Sequence, residues 1–158
     1  MPCVASDYAI GTIRMTGRKL LLILFLLLFI ALPAMAINFN EVMGTWRLFY
    51  RGNFGYEFSF NKSYRATCVV YFKESSIYFR GVYTIDERKN LRINISEIKN
   101  QEIGSPGKFT PVSSSYFIFD AKRYQHGGKE YLELRPIDIV INGNSSDGYF
   151  EPIMKLIR

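Results

Sequence analysis

The fold is decided by Tyr56-Glu57-Phe58-Ser59-Phe60-Asn61-Lys62-Ser63-Tyr64-Arg65-Ala66-Thr67-Cys68-Val69-Val70-Tyr71-Phe72-Lys73. Tyr56, Phe58 and Phe60 alternate with Glu57 and Ser59, and a period of two sends successive side chains to opposite faces of a strand. Asn61-Lys62 supplies a tight turn, because asparagine bonds its own backbone readily. After it Ala66, Cys68, Val70 and Phe72 stand opposite Arg65, Thr67 and Lys73. Two amphipathic strands with so short a link predict an antiparallel hairpin, apolar on one face and solvated on the other.

The same pattern extends in both directions. Upstream, Gly44 to Arg51 places Trp46, Leu48 and Tyr50 on one face, and a short helical turn is expected at Asn38 to Val42. Downstream, Ser76 to Asp86 sets Ile77, Phe79, Tyr83 and Ile85 against Tyr78, Arg80 and Thr84. Leu91, Ile93 and Ile95 follow the Glu87–Asn90 turn. Lys99 to Pro111, with Gly104, Pro106 and Gly107, reads as the longest loop. Ser115 to Lys122 carries Phe117 and Phe119, His126-Gly127-Gly128 is a hairpin tip, and Leu132 and Leu134 face inward from the next strand. Pro136 marks a bulge or an edge, since the apolar parity then flips to Ile137, Ile139 and Ile141. Asn142 to Gly148 is polar turn, and Tyr149 to Arg158 aligns Phe150, Met154, Leu156 and Arg158 as a last strand. About eight short strands at this spacing, with no long helix and no repeat, predict an all-β up-and-down barrel or a sandwich.

Composition agrees and excludes several classes. The 158 residues are 48% apolar and 16% aromatic, which excludes disorder and suits one domain. The formal charge of +6 is spread along the chain, so no clustered phosphate-binding face is encoded and nucleic acid is not an expected partner. A single histidine rules out a multi-histidine metal centre. Carboxylates are dispersed, His126 sits in a solvated tip, and Ser113-Ser114-Ser115 lacks the context of a nucleophile elbow. No catalytic residue, metal site or cofactor is expected, and the chain is not read as an enzyme.

The N-terminal region has its own signature. Arg14, Arg18 and Lys19 precede the uncharged run from Leu20 to Leu32, and Ala34-Met35-Ala36 follows Pro33. A basic segment, a short apolar segment and an A-x-A site predict a secretory signal peptide over residues 1–36, with Met15 as an alternative start. An uncleaved anchor is the other reading, opposed by the shortness of the run and by Pro33. The mature domain is then 37–158, secreted or periplasmic, with no transmembrane segment. It keeps Cys68 alone, as a small apolar core residue. The sequons at Asn61, Asn94 and Asn144 matter only in a host that glycosylates. Outward charges at Arg47, Glu57, Arg65, Lys73, Arg80 and Arg92 oppose a lipid-facing barrel wall.

Asn38-Phe39-Asn40-Glu41-Val42-Met43-Gly44-Thr45-Trp46 resembles the entry signature of the lipocalins, in which a short helical turn precedes Gly-x-Trp on the first barrel strand. Gly81-Val82-Tyr83 resembles the Gly-x-Tyr strand of compact bacterial lipocalin-like domains of the calycin superfamily. The resemblance implies one antiparallel barrel of about eight strands. It also implies that Gly44, Trp46 and a late basic residue, best matched by Arg158, close one end. The Thr-Asp-Tyr motif, the disulfides and the helix after the barrel are absent, so the likeness is to the compact class.

An eight-stranded barrel is either filled by its own side chains or holds one small ligand. Candidate ligand-binding residues on the inward face are Phe58, Phe60, Phe72, Phe79, Tyr83, Phe117, Phe119 and Met154. The sequence therefore predicts an exported non-catalytic binding module for a small apolar molecule. The alternative is a filled barrel that meets an envelope or host protein through its outer face, where Tyr71, Tyr78, Tyr116 and Ile118 offer a candidate patch.

Overall fold

A computed structural model of the chain describes residues 37–146 and 148–158; the predicted signal peptide over 1–36 lies outside the described residues. The chain enters through helix α1 (Phe39–Val42), a single turn held by a capping box. The Asn38 side chain accepts from the backbone of Asn40 and Glu41, and the Asn38 N–H donates to Glu41 Oε2 at 2.6 Å. Such reciprocal bonds satisfy amides that a helix start leaves open. Ile37 and Val42 flank the turn and are both buried, the positions of a hydrophobic staple.

Alternation then generates β1 (Gly44–Tyr50), β2 (Phe54–Phe60), β3 (Arg65–Tyr71), β4 (Ser75–Ile85), β5 (Leu91–Glu102), β6 (Thr110–His126) and β7 (Lys129–Ile141). A two-residue β8 (Asn144–Ser145) folds back on β7, and β9 (Met154–Ile157) ends the chain. Neighbours in sequence pair antiparallel from β1 to β7. β9 lies between β7 and β1, pairing Leu134 with Met154 and Arg47 with Ile157, and so closes an eight-stranded barrel with β8 outside the ring. Closure leaves no open sheet edge around the ring, the arrangement that protects small β proteins from edge pairing.

Bulges in the β4–β5 and β6–β7 ladders re-aim side chains. Ser96 is the extra residue between the Gly81–Ile95 and Arg80–Glu97 pairs. Ile137 is extra between Ile118–Asp138 and Phe119–Pro136. The second bulge falls beside Pro136, which has no N–H to give the ladder. It also corrects the inward assignment of Ile137, which as the unpaired residue is 55% exposed, while Ile139 is buried. The expected loop from Lys99 to Pro111 is shorter than its glycines and prolines suggest: β5 continues to Glu102, and only 103–109 connects it to β6. The last strand is shorter too. Gly148 to Ile153 runs irregularly, because Pro152 cannot continue a ladder, and strand pairing begins only at Met154.

The core is the barrel interior. Trp46, Phe58, Phe79, Tyr83, Phe117, Phe119, Leu132, Leu134, Met154 and Leu156 are all essentially inaccessible to water. The buried polar residues are only Ser76 and Ser115, and no buried side-chain nitrogen or oxygen lacks a hydrogen-bond partner among the described residues. No helix of the described residues is long and apolar enough to cross a membrane.

Candidate binding surfaces at the ends and wall of the barrel

One end is closed by the chain entry. Trp46 is 0% exposed, and its indole N–H donates to the Val42 carbonyl at 2.7 Å, tying α1 to β1. Gly44 has φ +116°, a conformation only glycine adopts without strain, and the Arg158 guanidinium packs where a Cβ would project. That guanidinium lies 5.7 Å from the Trp46 ring centroid and 3.4 Å from Glu130 Oε2. Arg123 also bonds Glu130, at 2.5 Å, and this hydrogen bond is the main cause that holds the Glu130 carboxyl below its ordinary pKa. Phe39, Tyr64 and Tyr83 pack against one another beside the plug, with the Phe39 and Tyr64 rings edge to face at 5.0 Å between centroids. The Tyr83 hydroxyl donates to the Asn61 carbonyl.

Between the ends, the sequence-predicted ligand residues form a solid aromatic stack. Phe58 meets Phe119 at 5.7 Å, Phe79 meets Phe117 at 5.0 Å, and Phe60 meets Tyr83 at 5.0 Å, all edge to face. This geometry suits the ring quadrupoles. Phe58, Phe117, Phe119 and Met154 are 0% exposed, so no water-sized space touches their side chains. Of the two states the sequence leaves open for such a barrel, the packing is the filled one. Phe72 is a correction. β3 ends at Tyr71, and the Phe72 N–H bonds the Ser75 carbonyl in the turn to β4. The alternation therefore stops one residue early, and Phe72 is 39% exposed outside the interior.

The other end is the mouth, and apart from Phe72 its residues lie outside the sequence-predicted ligand set. Phe150, from the irregular segment 148–153, drops into the opening with its ring 5.2–5.9 Å from those of Phe117, Phe119, Tyr56 and Phe58. Beside this plug lies a cleft of about 370 Å³ lined by Tyr50, Phe54, Tyr56, Tyr71, Phe72 and Tyr149, with Glu151 as its charged member. The Tyr50 hydroxyl donates to Glu151 Oε2 at 2.7 Å. That bond, then burial and the nearby negative charge, push the Tyr50 phenol up to about 12. Phe49, Tyr50, Phe54 and Phe72 are all exposed around the rim. The available signal is their clustering on both sides of Arg51-Gly52-Asn53 and at the end of β3. Which strand ends share one mouth depends on the closed topology, however, and strand periodicity does not carry it.

The outer wall carries charge over its aromatics. Tyr78 lies under the Lys99 ammonium at 3.9 Å, and Tyr116 donates to Asp138 and stacks under Arg92. Tyr71 instead joins Phe49 at the mouth, 5.2 Å between centroids. Tyr71, Tyr78, Tyr116 and Ile118 are all half-buried, and cations cover the rings of Tyr78 and Tyr116. Cys68 is fully buried, and burial raises its thiol pKa well above the ordinary value. His126 is exposed at its hairpin tip. Among the described residues no three histidine, cysteine or carboxylate side chains converge. In comparisons with protein-family models, curated proteins and solved structures, nothing matches this chain.

Proposed function

We propose that the protein is an exported, non-catalytic binding module of the compact lipocalin-like class that takes a small apolar group at the mouth of a filled barrel. The leader pattern in residues 1–36 supports export, and the barrel with Gly44, Trp46 and Arg158 at one end supports the class. The observation that carries the binding reading is the contrast within one aromatic set. Interior rings have no free surface, whereas Tyr50, Phe54, Phe72 and Tyr149 leave theirs around a 370 Å³ cleft. That volume lies within the ~300–1,000 Å³ of ordinary small-molecule sites, and apolar walls with one polar anchor are their usual lining. A ligand burying about 300 Å² gains roughly 7 kcal/mol at ~25 cal/mol per Å². Part of that is lost with its own freedom of motion, so burial alone gives an affinity weaker than ~10 μM and the polar anchor must add to it.

The test is a titration with the uncharged probe N-phenyl-1-naphthylamine. One saturable site is expected, weakened at least about tenfold (~1.4 kcal/mol) by Phe54→Ala or Tyr149→Ala. Phe117→Trp, which enlarges an interior ring, is expected to leave binding unchanged wherever circular dichroism reports an intact fold. Absence of saturation overturns the reading. Loss of binding in Phe117→Trp with the mouth variants neutral also overturns it, and returns the ligand to the barrel interior.

A further inference from the structure

On the outer wall, away from the mouth, β3, β4 and β5 leave a groove of about 600 Å³ lined by Arg65, Arg80, Thr67, Ser96, Asn61 and Glu97, with Val82 at its edge. We infer that this groove is a binding site for a phosphate monoester carried on a small polar organic group. The groove is produced by the sheet itself. Ala66 and Gly81 face each other across β3 and β4, and a Cβ on Gly81 would run into the Asn94 carbonyl. Ala66 belongs to the inward parity, so the outward Arg65, Thr67, Arg80 and Val82 of β3 and β4 form the sides of the groove. The Ser96 bulge breaks the β4–β5 ladder at the same level.

Charge and donor chemistry select the ligand. Arg65 and Arg80 stand on adjacent strands, and among the described residues neither has a carboxylate within ion-pair distance. Arg80 is steadied with its guanidinium 3.6 Å from the Phe109 ring centroid. At Arg65, the backbone N–H bonds Asn61 Oδ1 at 3.0 Å, which fixes the turn leading into β3. A planar guanidinium fork matches phosphate oxygens in pairs, and it is more weakly hydrated than an ammonium. Thr67, directly opposite Arg80, adds a hydroxyl donor, while the Ser96 hydroxyl donates to the Arg80 carbonyl at 3.3 Å and holds the bulge against β4. Glu97 supplies one opposing charge, so the lining keeps a net charge of +1 and favours an anion whose oxygens can be shared by both guanidiniums. The volume exceeds what a bare phosphate fills, and Val82, 48% exposed, offers apolar contact to an organic remainder.

The same chemistry arises from a soluble organophosphate or from a lipid headgroup, so the experiment has two arms. Glycerol 3-phosphate is titrated calorimetrically into the purified protein. In parallel, the protein is sedimented with phosphatidic acid vesicles against phosphatidylcholine vesicles. Saturable binding of the soluble compound, or retention on phosphatidic acid alone, supports the site and identifies the source. In either arm the Arg65→Ala/Arg80→Ala double variant is expected to weaken binding at least about tenfold. Glu97→Gln is expected to tighten it severalfold, a gain that misfolding cannot produce. No binding in either arm overturns the inference, as does binding that is indifferent to both the arginine pair and Glu97.

Discussion

At one end of the barrel Trp46 is seated by neighbouring chain; at the other, Phe150 is lowered in from a strap. Trp46 lies four residues from the carbonyl it bonds, on a strand paired along its length with β2. Its surroundings are a capped helical turn and the C-terminal guanidinium of Arg158. Phe150 belongs to a segment without regular pairing, anchored by the side-chain bond between Glu151 and Tyr50, which are 101 residues apart. Both rings exclude water from the same aromatic stack. The difference teaches that a filled barrel need not be uniformly firm: the closed-end ring sits on a paired strand and is hydrogen-bonded four residues away, whereas the mouth ring hangs on an unpaired strap held by a contact between exposed residues.

The sharpest way to break that comparison is to remove each ring. Trp46→Ala deletes the larger side chain from a fully buried site and leaves the Val42 carbonyl without its donor, so about 5 kcal/mol is expected. Phe150→Ala is expected to cost less, about 3 kcal/mol, because the irregular strap can settle into part of the space. Urea denaturation of both variants measures the pair. Native-state hydrogen exchange should show residues 148–153 opening well below the global unfolding energy and Trp46 only with it. Equal losses, or slower exchange in the strap than at Trp46, would erase the distinction between the two ends.

A smaller effect is expected at the helix cap. Asn38 accepts from two backbone amides and returns the bond through Glu41, so Asn38→Ala should destabilise by about 1 kcal/mol. The loss should be confined to the closed end, with tryptophan emission shifting red while the mouth cleft keeps its probe affinity. A change in probe affinity without a change in emission would mean that the two ends are coupled.

The closed end was also the more legible of the two. Asn38-x-x-Glu41 and Gly44-x-Trp46 are short-range patterns, and their structural consequences follow within one turn and one strand. The strands themselves were legible for the same reason, since a period of two is local. The misreadings occur where pairing overrides periodicity. Phe72 continues the parity of β3 but lies in the turn after it, because the strand ends where its hydrogen bonds pass to Ser75. Ile137 continues the parity of β7 but is the bulged residue. Phe150 reads as one more inward position of a last strand, whereas Pro152 breaks that strand and turns its start into a strap. The Arg65–Arg80 groove lay beyond reach for a related reason. Both arginines read as ordinary outward charges, and only the register that pairs Thr67 with Arg80 and Arg65 with Val82 brings them to one depression.

The smallest effect tests what holds the strap. Tyr50 is 44% exposed, so Tyr50→Phe should cost only about 0.5 kcal/mol, the usual net worth of one hydrogen bond near the surface. The pH dependence is more informative. In the fold the Tyr50 phenol is pushed up to about 12 from its ordinary 10.0, with the bond to Glu151 as the first cause. A raised acid pKa means that the folded state keeps its proton when the unfolded state has lost it. The contribution to stability is therefore complete below pH 10 and disappears as the pH rises towards 12. Difference absorbance at 295 nm between the protein and Glu151→Gln should show one phenol, absent from the high-pH group in the variant, titrating closer to 10. The mouth should also lose its probe in the parent as that phenol ionises, since the new charge faces Glu151 directly and drives the strap outward. A Glu151→Gln curve that superimposes on the parent would leave the strap held by the Phe150 ring alone, and the two ends would then differ in the length of their connections but not in their kind.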